Sequence, residues 1–139
     1  MAKKFLWVMI ALMLCAHIQP AFAMGSVAVV KKETQAQMGL TYTLVAERVD
    51  AEAVLVSMEI PRQGKLKDLR SVSMRIGPGR PLVSATLQTT IGKNGSWTVS
   101  FQVSPELADK CSVDLIVPHS TRTYTVYAVE LKGYVTDRK

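Results

Sequence analysis

Cysteine is nearly absent from this chain. Of 139 residues only Cys15 and Cys111 are cysteine, and both histidines, His17 and His119, stand alone. Two thiols cannot staple a disulfide-rich scaffold, and no spaced Cys/His/carboxylate cluster of the kind that holds zinc is present. Aromatic residues make up 6% of the chain, and none alternate with the basic residues. A stacking platform for single-stranded nucleic acid is therefore excluded. Gly-x-Ser-x-Gly elbows, phosphate-binding loops and dinucleotide fingerprints are missing. There is no internal repeat, no low-complexity tract and no second long apolar run.

The one apolar run opens the chain. Lys3 and Lys4 precede Phe5 to Ile18, which only His17 interrupts. Pro20 breaks the run, and Ala21-Phe22-Ala23 places small residues where a signal peptidase reads. This is the pattern of a cleavable secretory signal ending at Ala23. The run is shorter than the roughly 20 residues a membrane-spanning helix needs, which argues against an uncleaved anchor. Leu14 before Cys15 is too large for a lipoprotein cleavage site. Removing the first 23 of 139 residues leaves 116, a single domain able to bury a core. Losing Lys3 and Lys4 lowers the net charge from +6 to +4. That suits solubility and is too small to imply nucleic-acid binding. Export with one remaining cysteine, Cys111, points to a bacterial periplasmic or secreted protein with no transmembrane segment after cleavage.

What is present is alternation. Trp97, Val99, Phe101 and Val103 fall on one face of a strand; Thr98, Ser100, Gln102 and Ser104 fall on the other. Asn94-Gly95 before it predicts a two-residue type I′ turn, with Pro81 to Ile91 running back antiparallel. Other strands are expected at Val27–Val30, Leu40–Ala46, Val54–Ile60, Val72–Ile76, Cys111–Val117 and Thr123–Val135. Leu66 and Leu69 suit one helical turn. Ser104-Pro105-Glu106 starts a short helix over 104–110 that crosses between sheets. Residues 24–38 read as an edge strand with a solvated connector, or as a mobile arm that pairs with a partner's sheet. Seven or eight short strands predict an all-β antiparallel sandwich of immunoglobulin-like architecture.

Chemistry-bearing residues are sparse. Cys111 shares a strand face with Val113, which makes it a buried hydrophobe rather than a nucleophile; His119 lies eight residues on, in a loop. Met38, Met58 and Met74 are packing residues before they are copper ligands. Glu47, Asp50, Glu52 and Glu59 are solvated carboxylates. Neither a cofactor nor a metal is expected, and no catalytic set is assembled.

Two surfaces remain. Arg62, Lys65, Lys67, Arg70, Arg75 and Arg80, against Asp68 alone, form a basic segment, with Gly77-Pro78-Gly79 as a potential anion nest. It would contact lipopolysaccharide, acidic glycan or anionic phospholipid. The last strand is apolar on both faces: Tyr124, Val126 and Ala128 on one, Tyr127, Val129 and Leu131 on the other. Taking Tyr127, Val129 and Leu131 as outward gives a partner face. The leading expectation is a non-catalytic exported domain that binds an envelope or secreted protein, or serves envelope assembly, with a homodimer open. The anion-binding module is the alternative, and an enzyme using Cys111 is the third.

Overall fold

The computed structural model describes residues 24–76 and 88–138. Among the described residues nine strands and one short helix follow in order: β1 Met24–Val30, β2 Thr43–Arg48, β3 Val54–Ile60, β4 Ser71–Ile76, β5 Gln88–Ile91, β6 Trp97–Val103, α1 Pro105–Ala108, β7 Cys111–Pro118, β8 Thr123–Glu130 and β9 Val135–Asp137. The protein is all-β. Its strands form two sheets, ordered β1-β8-β7-β4 and β5-β6-β3-β2-β9.

Both sheets are mixed rather than purely antiparallel. β1 runs parallel to β8, and β2 runs parallel to β9. The expected continuous last strand from Thr123 to Val135 is two strands. Lys132–Tyr134 forms a single 3-10 turn after Leu131, and the chain passes from β8 in one sheet to β9 in the other. The hairpin before β6 also differs from the expectation. Gly95 has φ +80°, and no described non-glycine residue has positive φ, so Asn94 cannot serve a type I′ turn. Gly92 donates to the Ser96 carbonyl at 2.8 Å, which closes a three-residue loop. Such loops place a residue like Gly95 in the left-handed region after an ordinary turn. The preceding stretch is seen only from Gln88; residues 81–87 of the expected strand lie outside the described residues.

The core follows from the alternation. In β3, Val54, Val56, Met58 and Ile60 are buried and the residues between them are exposed. Met58 faces Leu44 on β2 and Val99 on β6, and Val56 faces Ala46 and Phe101. From the first sheet, Val30, Val129, Val113 and Met74 make one cross-strand row and join the same hydrophobic cluster. Each fully buried side chain of this size stabilises the fold by about 1.5–3 kcal/mol. Leu66 and Leu69, beside the 3-10 turn Gly64–Leu66, also enter this core.

α1 links β6 in one sheet to β7 in the other. Ser104 holds the cap position in extended backbone, and its carbonyl receives the Ala108 N–H at 3.0 Å. Pro105 begins the helix, where its missing N–H costs nothing. A polar triad ties the connector after β1 to the end of the chain. The Tyr134 hydroxyl donates to Gln35 Oε1 at 2.8 Å and lies 2.9 Å from the Tyr42 hydroxyl. Gln35 Nε2 donates to the carbonyls of Tyr42 and Leu40.

Candidate binding face on the outer side of the first sheet

The outward row of the β1-β8-β7-β4 sheet is unlike that of an ordinary solvated sheet. Val27 on β1 lies opposite Val126 on β8, which lies opposite Ile116 on β7. One step along, Val29 lies opposite Ala128, and Ala128 opposite Asp114. Val126 and Ala128 are buried between these neighbours yet stand outside the core cluster. Val27 and Val29 are 58% and 53% exposed. An apolar strip thus reaches the sheet edge, where β1 has no neighbour but β8 among the described residues.

At one end the strip opens into a groove of about 930 Å³. Val27, Val29 and Ala128 are among its apolar lining residues. Its rim carries Lys31, Lys32, Lys110, Lys132 and Arg75. Glu33, Asp109 and Glu130 are the acidic members of the same rim.

Beneath the rim lies an ion pair. Arg75 Nη2 is 2.8 Å from Asp114 Oδ2, and the Asp114 side chain is 2% exposed. Desolvation raises the Asp114 carboxyl above its ordinary value; the Arg75 charge and the Ser112 hydroxyl oppose that rise without cancelling it. This contact engages one of the five guanidinium donors of Arg75, whose side chain is 32% exposed.

The described members of the basic segment make different contacts. Arg62 Nε donates to the Lys67 carbonyl at 2.9 Å, and the Arg62 stem packs against Gly95. Lys65 Nζ donates to the Met38 carbonyl at 2.7 Å. Lys67 and Arg70 are exposed near the start of β4. Arg75 lies at the other end of β4, five residues and roughly 16 Å further on, on the outer face with Asp114. Arg80 and Gly77-Pro78-Gly79 lie outside the described residues.

The proposed partner face of the last strand is corrected. Tyr127, Val129 and Leu131 are buried at 8%, 0% and 0% exposure and belong to the core. They face inward because the row Val30–Val129–Val113 packs toward the second sheet. The outward apolar residues are those of the opposite set, Val126 and Ala128, extended by Val27 and Val29. Sequence reasoning also passed over Lys31 and Lys32. Their signal was two consecutive cations directly after a strand without charge.

Cys111 is buried, and burial raises its thiol pKa. His119 Nε2 lies 2.6 Å from the Thr125 hydroxyl in an exposed loop. Glu47 lies opposite Leu55 and Glu59 opposite Thr43, so the register keeps these carboxylates four positions apart. Met58 and Met74 are in the core. Among the described residues no group of three His, Cys, Asp or Glu is placed to hold a metal. No described helix is long and apolar enough to cross a membrane. No family model, no curated protein and no solved structure matches the chain.

Proposed function

We propose that this protein is an exported, non-catalytic sandwich of immunoglobulin-like architecture that works by binding a protein of the bacterial envelope. Two sheets sharing one core, with a helical crossover at α1, favour that architecture. The leader pattern ending at Ala23 favours export to the periplasm or beyond. The observation that carries the binding reading is the exposed pair Val27 and Val29 lining the groove. Apolar surface open to solvent and rimmed by polar groups is a common mark of an interaction site.

The test compares wild type with a Val27→Lys/Val29→Lys variant in affinity capture from envelope extract at low and high salt. One stoichiometric protein retained at high salt, and lost in the variant, supports the reading. Retention of anionic lipid or glycan at low salt only, dependent on Lys67 and Arg70, moves the function to the anion-binding module, because attraction between exposed charges is screened. Amino-terminal sequencing of the exported protein tests the leader; a first residue other than Met24 sinks the cleavage site.

A further inference from the structure

Four strands stand at sheet edges: β1 and β4 in one sheet, β5 and β9 in the other. An open edge exposes unpaired backbone N–H and C=O groups, and proteins guard it with shortness, charge or proline. β9 is three residues long and ends in Asp137, beside Arg138. The described part of β5 is four residues. β4 carries Arg75. β1 is seven residues, Met24-Gly25-Ser26-Val27-Ala28-Val29-Val30, and contains no charge and no proline. It is the one edge among the described residues without a guard, and it borders the apolar strip.

From this we infer that β1 accepts an added strand: an extended segment of the partner protein pairs along its free edge and sets alternate apolar side chains beside Val27 and Val29. This rests on the binding reading above and names the partner's chemistry. Added strands take affinity from main-chain hydrogen bonds and specificity from alternate side chains. Charge sets the end of the segment. Beyond Val30 the edge runs into Lys31 and Lys32, and Lys132 lines the same groove, whose acidic members are Glu33, Asp109 and Glu130; Lys32 Nζ lies 5.6 Å from the Tyr134 ring centroid, and none of these three lysines forms an ion pair among the described residues. A segment with acidic residues at that end is complementary. A second copy of this chain is not, because β1 holds no acidic residue to face those lysines.

The experiment selects from a random twelve-residue peptide library on the purified protein, then measures the selected peptides by fluorescence anisotropy. The expected peptides alternate apolar residues and carry Asp or Glu at one end. Their binding disappears in Val29→Lys, and weakens by about tenfold or more in Lys31→Glu/Lys32→Glu/Lys132→Glu. Hydrogen exchange on the bound protein should slow at β1 amides. Val27→Lys repeats the test at the other exposed valine if Val29→Lys melts early. Selected peptides indifferent to both valine variants overturn the edge inference while leaving a binding function standing. A concentration-dependent dimer in sedimentation, abolished by Val29→Lys, overturns it in favour of a second copy. Finding no selected peptide and no dimer also overturns the inference, and capture of the envelope partner then decides the broader reading separately.

Discussion

Arg75 and Asp114 meet at 2.8 Å on the outer face of the first sheet, although β4 and β7 carry them from positions nearly forty residues apart. The aspartate is 2% exposed and the arginine 32%. This asymmetry makes the two partners unequal. Removing the arginine strands a buried carboxylate; removing the carboxylate leaves a cation that still reaches water.

Arg75→Met should therefore cost about 1–3 kcal/mol at neutral pH in urea unfolding, below the value for a fully buried pair. Asp114→Asn should cost less. Equal losses, or the reverse order, would show that the pair is not asymmetric in the way its burial indicates.

The same aspartate sets a pH dependence. Its folded-state carboxyl lies above its ordinary value of 3.8, with desolvation as the main cause. The folded state then holds this proton more tightly than the unfolded state, so ionisation opposes folding. The Asp114 contribution should make stability rise as pH falls from the raised value toward 3.8. Subtracting the Asp114→Asn stability curve from that of wild type isolates this slope, and a slope of opposite sign rejects the assignment. In Arg75→Met the window should extend upward, because the cation that lowers the carboxyl is gone.

Tyr42 and Tyr134 share one network with Gln35. Tyr134→Phe leaves the buried Tyr42 hydroxyl and Gln35 Oε1 without their partner, at a cost of about 1–3 kcal/mol. Adding Tyr42→Phe should cost little more, since the two hydroxyls act as a unit. Burial also raises both phenols above their ordinary 10.0. Their contribution to stability is present below pH 10 and declines as pH climbs above it. Ultraviolet titration should show both ionising only as the protein unfolds in base.

Cys111 should resist iodoacetamide in the native protein and react once urea unfolds it, because its thiol is buried and its pKa is raised. Rapid native alkylation would reopen a nucleophilic role.

Gly95→Ala should lower stability by about 1–2 kcal/mol. Its φ is +80°, and a Cβ there would sit 2.8 Å from Arg62 Cδ. Gly95→Asn should cost less, because asparagine tolerates left-handed backbone. A neutral alanine variant would mean that the turn changes form.

Much of the fold was legible. Val54 to Ile60 and Trp97 to Val103 alternate, and β3 and β6 pair with those alternate residues inward. Pro105 after Ser104 marked the crossover helix. The site was less legible. Lys31 and Lys32 follow Val29 and Val30 directly, but Lys132 joins them beside Val27 and Val29 only because β1 and β8 lie side by side, a long-range pairing that no local spacing encodes. The six basic residues from Arg62 to Arg80 are close in sequence, and β4 carries Arg75 away from Arg62, Lys65, Lys67 and Arg70.

By itself the sequence determined where most strands run and which side chains share a face, because a period of two is a local property of extended backbone; it did not show the break between β8 and β9. It did not determine which face of β8 turns inward. Val126 and Ala128 are as apolar as Tyr127 and Val129, so alternation is silent there. Tertiary structure decided it: the Tyr127 and Val129 row closes against the second sheet, and the Val126 and Ala128 row is left facing out beside Val27 and Val29. Sheet order, parallel pairing and that choice of face depend on which strands meet, and burial of one continuous core selects among them.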